Sequence, residues 1–200
     1  PEFVARVAEE TGLQLQIIPP REEAQLSVAG CLNLLDRSAD AALVVDVGGG
    51  STELSWVDLS GGDIETDAGR FSTERLPVRA WLSIPLGVVT LAEAFPEGLD
   101  PTPVWYRKMV EHFKRGLVEF RGADDFRGIF ERDEAHIIGT SGAITSLAGV
   151  HLKLDRYDRS LIDGLWMTRA SCEAATDALL ALSIEQRAAQ PCIGPDRADL

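Results

Sequence analysis

The sequence predicts an α/β fold, a mixed sheet with helices packed against it. Three observations carry that reading. "ALVVDV" (42–47) is an apolar run of strand length, and "ELSWVDL" (53–59) alternates apolar and polar residues on the far side of a glycine turn, as a returning strand does. Trp105, Met109, Phe113, Leu117 and Phe120 recur at intervals of three and four, the signature of an amphipathic helix. Strand-like and helix-like segments then alternate along the chain, as expected of a layered domain with one sheet.

Taken in order, Phe3, Val7 and Ala8 have helical spacing, Gly12 can close that helix in a left-handed cap, and "LQLQII" (13–18) alternates like a half-buried strand. A second helix is expected from about Glu22 to Leu35, with Ala24, Val28, Cys31, Leu32 and Leu35 on one face. The hairpin of 42–59 follows and ends at "SGGD" (60–63). The polar stretch to Leu76 reads as a surface loop or irregular hairpin, and "RAWLSIPLG" (79–87) as another strand. Gly87 releases a helix through Leu91 and Phe95, and prolines mark the start of the amphipathic helix in 100–120. "AHIIG" (135–139) is a short strand and "TSGAITSLAGV" (140–150) a turn feeding a helix. "DRYDRSLIDGLWM" (155–167) reads as a strand pair and "RASCEAATDALLAL" (169–182) as a helix, and Ser183 with Gln186 forms a capping box for one more.

With 200 residues the chain is long enough for one sizeable core, so a single domain over 1–200 is expected. No apolar run approaches the roughly 20 residues of a membrane span, and the N-terminus lacks the basic-then-apolar pattern of a signal peptide. It begins without methionine and is expected to be a piece of something longer. The three cysteines, Cys31, Cys172 and Cys192, form no CxxC pair and read as reduced packing residues of a cytoplasmic protein. A formal charge of −13 argues against nucleic acid, whose phosphates require a basic stripe. Any anionic ligand must therefore be held by local dipoles or a metal.

Two turns suit such a ligand. In "DVGGGSTEL" (46–54) consecutive glycines can aim backbone N–H groups at an anion that a β-carbon would keep away, and Ser51 and Thr52 add hydroxyls. Asp46 is placed to hold Mg2+ through water, and Glu53 to orient or deprotonate an attacking water. Taken alone, three glycines are also what an ordinary hairpin turn shows. "IIGTSGAIT" (137–145) repeats the arrangement, with a helix N-terminus behind it. Neither GxxxxGK[ST] nor a GxGxxG dinucleotide turn is present. "GTSGA" is near the GxSxG nucleophile elbow, but Ala143 replaces its last glycine, and His151 follows too soon to complete a triad. His112 and His136 are isolated, and the tryptophans are explained by core packing.

In order and spacing, "DVGGGSTEL", "SIPLGVVTLAE" (83–93), "IIGTSGAITSLAGV" (137–150) and "GPDRADL" (194–200), with "REEAQLSVAG" (21–30) before them, resemble the Ppx/GppA family of exopolyphosphatases and guanosine pentaphosphate phosphohydrolases. The resemblance implies an actin-like ATPase, ribonuclease H-like lobe, with substrate phosphates and Mg2+ in a cleft between two lobes. By motif, Asp46, Gly48, Gly49, Gly50, Ser51 and Thr52 would form the second phosphate loop and Glu53 its catalytic carboxylate. Gly139, Thr140, Ser141 and Gly142 would form the turn beside the nucleotide's sugar or phosphates.

The family's first phosphate loop and its helix with another catalytic glutamate are absent from these residues, so a missing N-terminal lobe is expected upstream of Pro1. "PPR" (19–21) replaces a serine and glycine of the family pattern, and the chain stops at "RADL" where the family begins its last core helix. The expected reaction of the whole protein is Mg2+-assisted attack of water on a terminal phosphoanhydride of inorganic polyphosphate or pppGpp, with this fragment inactive alone. A non-catalytic phosphate or alarmone sensor, and an actin-like ATPase or kinase, are the alternatives. The resemblance permits a homodimer, although no exposed apolar stripe argues for one.

Overall fold

The computed structural model describes residues 2–61, 76–98, 103–120 and 123–199. Strands β1 (Ala41–Val47), β2 (Thr52–Asp58), β3 (Val78–Ile84) and β4 (Ala135–Thr140) form a sheet in the order β3-β2-β1-β4. The first three pair antiparallel, and β4 runs parallel to β1 on its other side. The expected hairpin is thus present, and the sheet is mixed. Residues 62–75, which include most of the polar stretch before Leu76, lie outside the described residues.

Helix α1 (Glu2–Thr11) leads to α2 (Pro20–Gly30) and a 3-10 turn, Leu32–Leu34. Ala24, Val28, Cys31, Leu32 and Leu35 are all buried, as their spacing predicts. Val28, Cys31, Leu32 and Leu35 meet Ala42, Val44, Val57 and Ile138 on one face of the sheet. The opposite face carries Ala41, Leu54, Trp56 and Ile84 against α4 (Pro103–Leu117) and α5 (Ala123–Glu131), through Phe113, Leu117 and Phe126. Phe126 stacks on Trp56 with ring centroids 4.3 Å apart. Helices on both faces explain why β2 is buried at every position from Thr52 to Val57 despite its alternating sequence.

Beyond β3 come α3 (Val88–Ala94) and then, after β4, α6 (Ser141–His151), which leans on β1 and β4 and carries α8 (Arg169–Leu180) on its outer side. Ser183 and Gln186 form the expected capping box on α9 (Ile184–Ala188). Gly12 closes α1 at φ 74° as its position suggests.

Three expectations change. Residues 13–18 form no strand: Leu13 and Ile17 are 62% and 81% exposed. Alternation makes a segment competent to pair, but among the described residues no strand pairs with it. The strand pair expected in 155–167 is replaced by the short helix α7 (Arg159–Ile162), because the Asp158 carboxylate accepts the Ser160 N–H and nucleates a helical turn instead. Helix α5, unexpected from the sequence, has two acidic residues in its first turn, where they favour the helix dipole. Among the described residues, no helix is long and apolar enough to cross a membrane.

Candidate active site

Strands β1 and β4 are parallel, so their carboxyl ends deliver side chains to one edge of the sheet. In register, Thr140 lies opposite Asp46, Asp46 opposite Glu53, and Glu53 opposite Ser83. Residues paired in this way project to the same face. Asp46 and Glu53 therefore stand side by side on the face that α2 covers. Glu53 is 3% exposed, and its Oε1 accepts from the Ser83 hydroxyl at 2.8 Å. The Asp46 carboxylate accepts from the hydroxyl of Ser27 on α2.

One turn before Ser27, α2 brings a third carboxylate, Glu23, to the pair. Desolvation first, then the negative charges of Glu53 and Asp46, push its carboxyl above the ordinary glutamate range. The paired glutamates of 21–30 are visible in the sequence, but no role for Glu23 could be assigned from them. The signal is present all the same: Glu23 and Ser27 are four residues apart, at the edge of the stripe marked by Ala24 and Val28. Burial and the Asp46 charge also hold the Cys31 thiol up, so it stays protonated and unreactive.

The glycine turn is held from behind by the head of α3. Gly48 N–H closes the turn on Ser51 O at 2.9 Å. Val88 N–H donates to Gly48 O at 3.0 Å, while Val89 and Thr90 N–H donate to Gly49 O at 2.9 and 3.3 Å. The approach needs glycine at position 87, because a β-carbon there would come within 2.4 Å of Gly48 O and 2.5 Å of Gly49 C and O. The Thr52 hydroxyl, expected among the phosphate ligands, is fully buried and donates to Leu86 O at 2.7 Å. That bond braces the turn against the segment after β3.

What remains open is the outer side of the turn. Among the described residues, the N–H groups of Gly49, Gly50 and Ser51 have no protein acceptor. The glycines are not needed there for a left-handed backbone, since none of the three adopts positive φ. Nor does packing exclude a side chain at Gly50, where a β-carbon would meet nothing within 4 Å. The bare backbone at that position therefore faces open space that an approaching group can enter.

The second turn joins β4 to α6. Ser141 takes φ 79°, a strained value for a residue with a β-carbon, and its hydroxyl donates to Val47 O. That bond ties the second turn to the end of β1 and leaves the serine unlike an activated nucleophile. His151 sits at the other end of α6. Gly139 is small for packing reasons, because a β-carbon would lie 2.7 Å from Ile144 Cγ2. Thr140 is half-buried and makes no side-chain cap. Gly142 lies under the guanidinium of Arg197: a β-carbon there would come 3.2 Å from Nη1 and 3.4 Å from Nη2. Arg197 Nη1 also donates to Ser146 Oγ at 3.3 Å. Sequence reasoning placed Arg197 within a motif without a role, since nothing local shows that it folds back over Gly142.

Among the described residues, no group of three or more His, Cys, Asp and Glu side chains is placed to hold a metal ion. Mg2+ is commonly held by one or two carboxylates together with waters and substrate phosphates. Asp46, at the end of β1 with Glu23 and Glu53 nearby, fits that mode of binding.

Solved structures share this fold. An exopolyphosphatase-like protein is 29% identical, with a TM-score of 0.77 over 99% of this chain and 57% of its own. The Aquifex aeolicus PPX-GPPA enzyme is 26% identical, with a TM-score of 0.68 over 99% of this chain and 57% of its own. The fold is thus of the actin-like ATPase type, with the two glycine-containing turns at one edge of the sheet. The profile of the Ppx/GppA phosphatase family matches residues 1–199, and the chain belongs to that family. A bifunctional 3-dehydroquinate synthase/phosphatase of Fusobacterium nucleatum is 26% identical over 166 residues, 80% of this chain and 21% of that protein. The chain thus spans little more than half the length of the solved relatives and a fifth of the curated one.

Proposed function

We propose that this chain supplies the phosphoanhydride-binding and water-activating half of a cytoplasmic phosphohydrolase whose substrate is inorganic polyphosphate or pppGpp. The observation that carries the reading is Gly50, bare where neither backbone conformation nor packing requires it, beside unpartnered N–H groups and the buried Glu53. A terminal phosphoryl group seated there would receive the N–H groups of Gly49, Gly50 and Ser51, with Arg197 over Gly142 adding positive charge from the second turn. Glu53, oriented by Ser83, would hold the attacking water.

Bound at Asp46, Mg2+ would neutralise charge on the phosphates. The protein's own part is positioning: rigid dipoles on one side and carboxylates on the other. The complementary surface would come from a further lobe of the same protein, so these 200 residues should bind phosphate weakly and turn nothing over alone. The test is phosphate release by the full-length protein from polyphosphate, pppGpp and ATP. Release from either of the first two with Glu53-dependent kcat supports the reading. Release from none of the three, with phosphate chains still bound, would identify a sensor. Phosphoryl transfer from ATP to an acceptor would make it a kinase.

A further inference from the structure

A buried ion pair, Arg187 with Glu97, lies away from the carboxylates of the candidate site. Arg187 on α9 is 8% exposed, and each of its guanidinium nitrogens is used. Nε donates to Ala198 O at 2.8 Å, Nη1 to Leu182 O at 3.1 Å, and Nη2 to the Glu97 carboxylate. The Glu97 side chain is 6% exposed, and among the described residues its other oxygen has no partner. A pair so enclosed does little for stability that apolar side chains would not do, which raises the question of what it holds in place.

Each partner is attached to one of the two turns. Glu97 follows α3, and the head of α3 grips the glycine turn through Val88, Val89 and Thr90. Ala198 follows Arg197, whose guanidinium lies on Gly142 in the second turn. Arg187 thus clamps the foot of the helix that holds one turn to the segment that carries the cation of the other. Arg197 itself is on the surface and held at its tip by a single 3.3 Å bond to Ser146. The segment beneath it must therefore fix where its charge lies.

We propose that Arg187 is a positioning residue for phosphate binding, acting solely through Arg197, whose guanidinium it registers against the glycine turn. This rests on the reading that Arg197 contributes to anion binding. Tripolyphosphate is the probe, titrated calorimetrically into the full-length protein. Arg187→Met should weaken binding about tenfold, the scale of one misplaced charge-assisted hydrogen bond. It should also lower Tm, because Glu97 is left charged and unpaired. Arg187→Met combined with Glu97→Gln removes that charge and should bring Tm back near wild type while affinity stays lost, which a purely structural role would not produce. Arg187→Lys, able to reach fewer of the three acceptors, should show the same loss and serves if the methionine variant does not fold.

The decisive comparison adds Arg197→Ala. Once Arg197 is absent, Arg187→Met/Glu97→Gln should weaken binding by less than twofold further. Wild-type affinity in Arg187→Met/Glu97→Gln, or losses that multiply with that of Arg197→Ala, would overturn the inference while leaving the anion-binding role of Arg197 intact. Wild-type affinity in Arg197→Ala itself would remove that role and the inference with it.

Discussion

Gly87→Ala tests the physical basis of the glycine turn. The added methyl carbon would sit 2.4 Å from Gly48 O and 2.5 Å from both C and O of Gly49. All three are backbone atoms, so no flexible side chain can swing aside. The backbone at position 87 is extended, with φ −121° and ψ −175°, so alanine adopts it freely and the clash is the only cost. Relief requires the head of α3 to withdraw from the turn, which breaks or lengthens the three hydrogen bonds from Val88, Val89 and Thr90. At about 1 kcal/mol for each bond, or 1–3 kcal/mol for overpacking if the helix stays, the loss is about 2–4 kcal/mol. The entropic gain from replacing glycine, about 0.4–1 kcal/mol, does not offset it. For a chain of this size, at roughly 2–4 °C per kcal/mol, Tm should fall by roughly 5–15 °C. Thermal unfolding followed by circular dichroism measures this directly. Added phosphate should also protect the variant less than wild type, because the turn has moved. A Tm within 2 °C of wild type, with phosphate protection unchanged, would refute the claim that α3 and the glycine turn are in backbone contact.

Glu53→Gln in the full-length enzyme should lower kcat by about 10²–10⁴ and shift KM by less than about tenfold, since the side chain acts on water and the backbone amides hold the phosphate; steady-state kinetics showing near wild-type kcat would assign the water to a carboxylate of the other lobe instead. Gly50→Ala should leave the unfolding free energy within about 0.5 kcal/mol of wild type because its β-carbon enters open space, yet should weaken phosphate-chain binding, and unchanged affinity would exclude ligand approach at that position. Burial lowers the His136 pKa, with the nearby Asp36 opposing, and its neutral Nε2 accepts the Asp36 N–H at 3.3 Å. The unfolded chain therefore takes up this proton first, so the stability His136 contributes is whole above about pH 6.5 and is lost as pH falls from there through the lower folded pKa. Urea unfolding at pH 7.5 and 5.5 should show a smaller difference between the two pH values in His136→Gln than in wild type; an equal difference would refute this.

The sequence by itself determined those features whose cause is local. The β1–β2 hairpin follows from an apolar run, a glycine turn and an alternating return strand. The buried stripe of α2 follows from the spacing of Ala24, Val28, Cys31, Leu32 and Leu35, and the start of α9 from the Ser183–Gln186 box. Four ordered motifs were also enough to place the chain in its family. Local pattern was insufficient wherever the outcome depended on a partner. Leu13, Leu15 and Ile17 alternate as a strand would, yet a strand exists only where another chain segment completes its hydrogen bonds. Thr52 has the chemistry of a phosphate ligand, but the Leu86 carbonyl beneath it decided the direction of its hydroxyl. Glu23 became part of the site only when α2 packed across β1 and β2 and its carboxyl came within reach of the Glu53 and Asp46 charges. Arg197 became part of it only when the chain's end folded back over Gly142. The period of a pattern specifies which face a residue joins, whereas desolvation, charge proximity and hydrogen-bond direction depend on distances that only the packed tertiary structure sets.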